Sequence, residues 1–249
     1  MLERKQKKLG FEKVYLLTSL ENYYEKYGWK YIGDCFSFGK SEKVYEIESE
    51  DKNQKNNGSC AENLTHIGTQ KIETERLILR RFETTDTEEM FKNWANNLEN
   101  CEYLSWSAHK KIDETKKVLS DWISDYSKND YYRWAITLKE TGELIGGIDI
   151  ILILEHIQCV EFGYVLSKKF WNRGFMTEAL KATQKFMFKK INTHRIQARH
   201  DVRNPASGKV MTKTGMSFEG VLRESDKSNT DEWINTAIYS ILRKELEKA

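Results

Sequence analysis

The sequence predicts an α/β (α+β) protein, because strand and helix patterns alternate along most of its length. Along residues 160–166 apolar side chains recur at every second position, and beyond Gly174 they recur at helical spacing. A strand, a tight loop and a helix therefore follow one another. Upstream, residues 131–139 and 144–154 flank a turn at residues 140–143 and have the pattern of a β-hairpin that leads into this strand.

Composition divides the 249 residues into two blocks and a connection. Residues 1–47 are rich in aromatic side chains and have the pattern strand, helix, strand, strand. Residues 48–72 consist largely of Asp, Asn, Gln, Ser, Gly and Lys, and we predict a polar linker there. Residues 73–246 form the second, complete domain. In the first block, strands are predicted at residues 13–18, 30–38 and 43–47, with a helix at residues 20–27.

The second block combines amphipathic helices with strands at both ends. One short helix has well-marked boundaries, because Asn204 suits the N-cap, Pro205 the first helical position and Gly215 the residue just past the end. The other elements, beyond the hairpin and strand above, are a strand at residues 73–82, helices from Asp86 and over residues 112–126, a helix from Gly174 to about residue 190, and strands at residues 195–200, 216–224 and 232–243.

Charge and cysteine content argue against several classes of function. Lys and Arg total 40 against 38 Asp and Glu, so the net charge of +2 indicates neither nucleic acid nor acidic lipid as a partner. No apolar segment forms a signal peptide or reaches the ~20 residues of a bilayer span, and we predict a cytoplasmic protein without membrane contact. The four cysteines lack C-x-x-C spacing and histidines at ligand spacing, which favours free thiols over a metal site or disulfides.

An internal half-repeat links the two blocks. Residues 20–33 align without a gap with residues 207–220, and in both places the predicted helix follows one strand and precedes another. The first block therefore looks like the C-terminal half of the fold in residues 73–246, without a counterpart of residues 171–179. The identical pairs are Lys26 with Lys213, Gly28 with Gly215 and Gly33 with Gly220.

The loop before the helix at Gly174 predicts an anion site. The first N–H groups of a helix lack hydrogen-bond partners and lie at the positive end of the helix dipole. Arg173 adds a full positive charge beside them. The loop by itself is also compatible with an ordinary turn between a strand and a helix.

With these elements in place, the second block resembles the GNAT superfamily of acetyl-CoA-dependent N-acetyltransferases. The closer resemblance is to the RimJ/RimL-like branch, which acetylates protein N-terminal amines. This resemblance implies a mixed, mostly antiparallel twisted sheet of about seven strands flanked by helices, with acetyl-CoA as acetyl donor and no metal. Four signatures in register carry it: residues 74–80 (TERLILR), 161–164 (EFGY), 171–179 (WNRGFMTEA), and 204–207 (NPAS) with 213–223 (KTGMSFEGVLR).

The resemblance also implies where the cofactor lies. Backbone amides of the loop would cradle the pyrophosphate, and the edge of the preceding strand would pair with the amide-bearing pantetheine arm as another strand would. The residues so assigned are Arg173, Gly174, Phe175, Met176 and Thr177 for the pyrophosphate, Tyr164, Val165 and Leu166 for the pantetheine, and Asn204 and Ser207 at the capped helix.

Three residues of the loop depart from the family's pattern. Trp171 stands where Gln or Arg is favoured, and Met176 stands where Gly or Ala is favoured. Met176 must turn its side chain away from the phosphates if its amide is to face them. Asn172 replaces a frequent Gly, and Asn is the residue other than Gly that best tolerates positive φ.

Two residues are candidates for proton transfer. Glu161, where the superfamily often places a carboxylate, would take the amine proton through water; the alternative is an ion-paired residue at the strand edge. Ser207 would donate its hydroxyl to the departing thiolate, as in the branch; the alternative is a serine that only satisfies backbone amides. Many relatives have a tyrosine one turn later, but this chain has Met211 there. Glu224 and Asp226 are alternative carboxylates.

We therefore expect an N-acetyltransferase in which a primary amine attacks the bound thioester directly, without an acetyl-enzyme. The acceptor implied by the resemblance is a protein N-terminus. One alternative is a small amine such as an aminoglycoside or polyamine, which should need an acidic cleft. Another is a non-catalytic acetyl-CoA-binding regulator. The chain is compatible with a monomer or a homodimer.

Overall fold

The computed structural model divides the chain into two compact units, Met1–Cys60 and Ala61–Ala249. It describes residues 13–18, 25, 29–37, 40–48 and 64–246. Apart from residue 25, the helix predicted at residues 20–27 lies outside the described residues, and so does most of the predicted linker.

The N-terminal unit contains an antiparallel sheet of three strands. These are β1 (Lys13–Thr18), β2 (Lys30–Ser37) and β3 (Lys40–Glu48), arranged in the order β1-β3-β2. The first two lie where the sequence predicted them, and the third begins upstream of the predicted residue 43.

The second unit is built on a sheet of eight strands in the order β10-β11-β9-β8-β7-β6-β5-β4. All neighbours are antiparallel except β8 and β9, which are parallel. The predicted mixed, mostly antiparallel sheet is confirmed, with one strand more than expected. The strands are β4 (Ile72–Glu73), β5 (Leu77–Arg80), β6 (Arg133–Leu138), β7 (Leu144–Leu154), β8 (Cys159–Leu166), β9 (Arg195–Asp201), β10 (Ser217–Lys227) and β11 (Trp233–Leu242).

Six helices of the described residues accompany this sheet, and two of them end in a π-helical turn. In a π-turn each backbone hydrogen bond spans one residue more than in an α-helix. The helices are α1 (Thr87–Met90, continued by the π-turn Phe91–Ala95), α2 (Leu98–Cys101), α3 (Ile112–Asp125), α4 (Phe175–Phe186, continued by the π-turn Met187–Ile191), α5 (Pro205–Lys213) and α6 (Arg243–Leu246).

Alternate side chains of β8 enter two separate cores, because successive residues of a strand point to opposite faces of the sheet. Phe162 is buried in the larger core together with Ala179 of α4 and Met211 of α5. Val165 packs against the smaller core, which contains Trp94 of the α1 π-turn and residues of α3. Strand β8 therefore separates a face covered by α4 and α5 from a face covered by α1 and α3.

Strands β8 and β9 pair over only part of their length. Their register runs from Cys159 opposite Arg195 to Phe162 opposite Ala198 and is not continued beyond that pair in the described strands. On its other side, β8 stays paired with β7 up to Leu166. The last residues of β8 therefore present an edge that opens toward β9.

Residues 64–71, which composition assigned to the linker, pack on the second unit. The Thr65 N–H donates to the Ile191 carbonyl (2.9 Å), and the Trp134 indole donates to the Gln70 carbonyl (2.7 Å). Leu64 is buried in the larger core. The compact part of the second unit thus begins upstream of residue 73.

The two units share a topological feature. In the second unit β9, β10 and β11 have the order β10-β11-β9, so the third strand lies between the first and the second, as in the N-terminal sheet. Both sheets also have a register shift at the same place of the aligned repeat, between Tyr31 and Gly33 and between Phe218 and Gly220. Each sheet has an aromatic pair at that point, with ring centroids 5.7 Å and 5.3 Å apart.

Candidate active site

The loop between β8 and α4 has the backbone that an anion site requires. After a 3-10 turn at Lys168–Phe170, Asn172 and Gly174 have positive φ values of 58° and 79°. Gly174 is the N-cap of α4, and no described side chain caps this helix. The first amides of α4 are therefore left for another acceptor. The prediction that Asn172 occupies a position of positive φ is confirmed.

Two unusual residues of this loop have structural explanations. Met176 is 4% exposed and lies in the larger core, so its side chain points into the protein, as predicted. Trp171 donates its indole N–H to the carbonyl of Leu166, the last residue of β8, at 2.7 Å. Trp171 thus ties the loop to the strand that precedes it.

Helix α2 holds the end of β8 from the other side. The side chain of Asn97 caps this helix by accepting the N–H of Asn100 (3.0 Å). The Asn100 amide donates to the Leu166 carbonyl (2.7 Å), and its oxygen accepts the N–H of Lys168 (3.3 Å). Helix α2 and the role of Asn100 were not predicted, because a helix of four residues shows no periodicity. The available signal was Asn97, a good N-cap residue three positions before Asn100.

The capped helix α5 brings Ser207 to β8. Asn204 accepts the Ser207 N–H with its side-chain oxygen (3.3 Å), and Pro205 is the first helical residue, so the predicted cap is confirmed. The Asn204 amide nitrogen also donates to Ser207 Oγ (3.3 Å), which leaves the hydroxyl proton of Ser207 available. Tyr164 donates its hydroxyl to the Ser207 carbonyl (3.1 Å). Burial raises the pKa of Tyr164 above its usual range, so this donor stays protonated.

Glu161 lies on the opposite face of β8 from Tyr164 and is 2% exposed. Gln197 donates its amide to Glu161 Oε2 at 2.7 Å, and Arg199 Nε lies 2.7 Å from Oε1. The Arg199 N–H is not directed at that oxygen, and Oε1 has no hydrogen-bond donor among the described groups. Glu161 is therefore a buried, ion-paired residue with one oxygen, Oε1, that faces the Arg199 charge without a hydrogen bond.

The other candidates for proton transfer lie elsewhere. Met211 is 1% exposed and contributes to the larger core. Glu224 and Asp226 lie on β10, which is separated from β8 by β11 and β9, and both are exposed.

An acidic cavity of about 570 Å³ lies between α2 and the turn that joins β10 to β11. Three carboxylates line it, those of Glu99, Glu102 and Glu232, against the guanidinium of Arg203. Because α2 also holds the end of β8, this cavity is next to the opening between β8 and β9. Sequence analysis did not identify these carboxylates, which come from elements far apart in the chain.

The walls of the cavity are fixed by hydrogen bonds. The Asn229 amide, in the turn after β10, donates to the Cys101 carbonyl of α2 (2.7 Å). Arg203 Nη2 donates to Asp201 Oδ2, at the end of β9, at 2.6 Å. Burial raises the pKa of Asp201, but the hydrogen bonds and charge of Arg203 outweigh that effect and bring the pKa below its ordinary value. Asp201 therefore keeps Arg203 at the cavity wall as an ion pair.

The described residues offer neither a reactive thiol nor a metal cluster. Cys101 and Cys159 are free and buried, and burial raises the pKa of both, that of Cys101 to about 11, which disfavours a thiolate nucleophile. No group of three His, Cys, Asp or Glu side chains that could hold a metal ion occurs among the residues the structure describes. Within the same residues, no helix has the length and apolar character needed to cross a bilayer.

The structure thus brings the predicted residues into three groups. Ser207, Asn204 and Tyr164 meet where α5 touches β8, and the predicted pyrophosphate residues form the loop and first turn of α4. Glu161 lies on the other face of the sheet. This arrangement can bind an anionic, extended ligand along the β8 edge and receive a second, cationic molecule through the acidic cavity.

Comparisons with known proteins agree with this geometry. A family model described as an acetyltransferase (GNAT) domain matches residues 76–217. The uncharacterized N-acetyltransferase YnaD of Bacillus subtilis (strain 168) is 32% identical over 180 residues, which are 70% of this chain and 98% of YnaD.

Solved structures show the same similarity. A GNAT-family acetyltransferase from Bacillus anthracis has 27% identity and a TM-score of 0.63, over 71% of this chain and all of that one. A RimL ribosomal-protein α-N-acetyltransferase in complex with coenzyme A has 19% identity and a TM-score of 0.62, over 70% of this chain and 98% of that one. At 19% identity, the similarity to the RimL enzyme shows a shared fold.

Proposed function

The chain belongs to the GNAT family of acetyltransferases, and on this premise we propose that its acceptor is the N-terminal α-amine of a protein. Its activity is the acetyl-CoA-dependent N-acetyl transfer of that family. The proposal places the chain in the RimJ/RimL-like branch, to which its four sequence signatures are similar. The coenzyme A complex of a RimL enzyme with the same fold supports it.

The choice of an α-amine as acceptor rests on the contacts of Glu161. Its two oxygens lie 2.7 Å from the Gln197 amide and from Arg199 Nε, so both already have partners and neither is free for direct contact with an amine. An α-amine has a pKa of about 8, whereas a lysine-like amine has a pKa of about 10.4. At neutral pH an α-amine is therefore partly neutral, and it can attack with the least help from the enzyme.

We propose the following division of roles at the site. The amides of residues 173–177 bind the pyrophosphate, and residues 164–166 pair with the pantetheine arm. Glu161 receives the amine proton through water. Ser207 donates its hydroxyl proton to the thiolate and takes a proton back from water after coenzyme A leaves; the Asn204 amide, which donates to Ser207 Oγ, leaves that proton free to point at the sulfur. The acetyl group moves from sulfur to nitrogen in one attack, without a covalent enzyme intermediate.

A small polyamine is the second candidate acceptor. The cavity lined by Glu99, Glu102 and Glu232 favours it, since these three carboxylates outnumber the two cations beside them, Arg203 and Lys168, whose Nζ lies 2.6 Å from Glu99 Oε1. An acidic cleft is what transfer to a polycationic small amine requires. The N-terminal segment of a protein also carries a positive charge, but it needs fewer carboxylates than a polyamine does.

Release of thiol from acetyl-CoA with matched acceptors tests the choice. We expect release with a peptide that has a free α-amine and no lysine, with kcat/KM rising up to about pH 8 as the α-amine becomes neutral. The control is the same peptide with a blocked N-terminus and one internal lysine, which should give no release. Preferential turnover of spermidine or an aminoglycoside would instead support the second candidate.

The N-terminal unit is, in our proposal, a partial copy of the C-terminal half of this fold. The shared strand order and the register shift at the aligned position support this origin. Almost the full length of YnaD matches 70% of this chain, so a GNAT enzyme of that length has no counterpart of the extra unit.

Deleting residues 1–60 tests whether the second unit is self-sufficient. We expect the shortened chain to fold and to keep its affinity for coenzyme A, because the described core and the proposed cofactor loop lie in Ala61–Ala249. Calorimetric titration with coenzyme A and sedimentation velocity of both chains would check this. A loss of binding, or a change of association state, would show that the N-terminal unit completes the site or an interface.

A further inference from the structure

The first sequence signature, residues 74–80, contacts the cofactor loop through Glu178 in the first turns of α4. Arg76 donates its Nε to Glu178 Oε2 (2.7 Å) and its backbone N–H to Glu178 Oε1 (2.9 Å). Thr74 donates its hydroxyl to Oε1 as well, at 2.6 Å. The Glu178 carboxylate is thus fully engaged by a segment that is 102 residues away in sequence.

Arg76 also holds the backbone of the loop itself. Its Nη1 donates to the carbonyl of Arg173 at 3.0 Å, and its guanidinium lies over the Phe175 ring, 4.4 Å from the centroid. In a trans peptide the carbonyl and the following N–H point in opposite directions. A carbonyl of Arg173 that is bound by Arg76 therefore turns the Gly174 N–H away from Arg76, toward the outer side of the loop.

The ion pair also neutralises a negative charge close to the proposed pyrophosphate site. Glu178 is a carboxylate in the part of α4 where a pyrophosphate would bind, and two like charges there would repel each other. Partial burial raises the pKa of Glu178, but the hydrogen bonds from Thr74 and Arg76 outweigh it and bring the pKa below its ordinary value. Arg76 supplies the positive charge that neutralises this anion.

We propose that Arg76 and Glu178 are positioning residues for acetyl-CoA: as an ion pair they fix the peptide planes of residues 173–177 so that their amides face the pyrophosphate. This inference rests on the proposed cofactor loop and extends it to residues that touch no substrate. Thr74 supports the pair by orienting the carboxylate.

The test compares ligands with and without phosphate. In the full-length Arg76→Gln variant we expect about tenfold weaker binding of coenzyme A by calorimetry. The KM for acetyl-pantetheine, which lacks the pyrophosphate, should stay within a factor of about two, within the scatter of independent sites. Arg76→Lys should restore only part of the affinity. Lysine keeps the positive charge, but its single ammonium group cannot bind the Glu178 carboxylate and the Arg173 carbonyl as the guanidinium does.

Arg80→Gln is the matched control. Arg80 is the last residue of β5, four positions after Arg76, and forms a similar ion pair, with Asp86 at 2.7 Å, away from the loop. Its removal should lower thermal stability about as much as Arg76→Gln does while leaving coenzyme A affinity unchanged. A second variant, Glu178→Gln, should weaken coenzyme A binding, and combining it with Arg76→Gln should add little, because the two residues act as one unit.

Two results would overturn the proposed role of Arg76 and Glu178. One is unchanged coenzyme A affinity in Arg76→Gln; the other is an equal weakening for coenzyme A and acetyl-pantetheine, which would indicate general damage to the protein. Failure of the unmodified protein to bind coenzyme A would overturn the proposed cofactor site at the loop, and with it the positioning role of Arg76 and Glu178. Because that failure appears without any substitution, it is distinguishable from failure of the pair alone.

Discussion

Replacing Arg173 by Glu is expected to weaken coenzyme A binding by between about tenfold and a hundredfold. The side chain of Arg173 is exposed and lies 5.6 Å from the Phe170 ring centroid, at the loop that precedes α4. A carboxylate there would repel the pyrophosphate, whereas the native guanidinium attracts it. Because the loss is electrostatic, it should shrink as salt is raised from about 0.05 M toward 1 M. Calorimetric titrations at several salt concentrations measure this.

The matched control for this change is Lys189→Glu. Lys189 is an exposed cation in the π-turn at the far end of α4, so its reversal changes the net charge equally but far from the loop. Its effect on coenzyme A affinity should be within about twofold, and neither variant should alter the melting temperature by more than a few degrees. Equal affinity in Arg173→Glu and the native protein would contradict the assignment of this loop to the pyrophosphate.

Elements with local signals were predictable from the sequence. The boundaries of α5 follow from Asn204 and Pro205, because each occupies a backbone position that it favours intrinsically. Strand β7 (Leu144–Leu154) coincides with the predicted residues 144–154. The turn at residues 140–143 marks its start, and the alternating pattern of the next strand limits its end. Asn172 was assigned to positive φ on the same kind of argument, from the preference of one residue.

What the sequence did not predict depends on geometry that periodicity does not measure. The helix expected to continue to about residue 190 changes to a π-turn at Met187–Ile191, because apolar spacing hardly distinguishes one extra residue per turn. Strand β4 (Ile72–Glu73) is too short to show alternation. The partners of Glu161 and Glu178 come from distant segments, and only the folded sheet brings them together.

The contacts of the site explain why the unusual loop residues are tolerated. Trp171 uses its indole N–H on the Leu166 carbonyl, and Met176 fills the larger core, so each side chain has a contact within the protein. The amides needed for phosphate remain available, although the side chains differ from the family's usual choice. If the loop binds phosphate as proposed, its backbone geometry, in which Asn172 and Gly174 have positive φ and Arg76 holds the Arg173 carbonyl, matters more than side-chain identity at these positions.

The largest effect on turnover is expected for Ser207→Ala, with kcat reduced about a hundredfold and coenzyme A affinity reduced far less. The hydroxyl of Ser207 is lost as proton donor, but its backbone N–H still reaches Asn204 and its carbonyl still accepts from Tyr164. Helix α5 therefore keeps its cap and its contact with β8. Steady-state kinetics with saturating acceptor, together with calorimetric titration of coenzyme A, separate the two quantities.

The conservative change Ser207→Thr is the control, because it keeps a hydroxyl at the same position and should retain most of the rate. An acetyl thioester whose thiol has a lower pKa gives a second check. Such a thiolate leaves with less need of a proton, so the deficit of Ser207→Ala should shrink with this donor. A deficit of the same size with both donors would mean that Ser207 orients the thioester rather than protonating sulfur, and a normal rate would remove it from the mechanism.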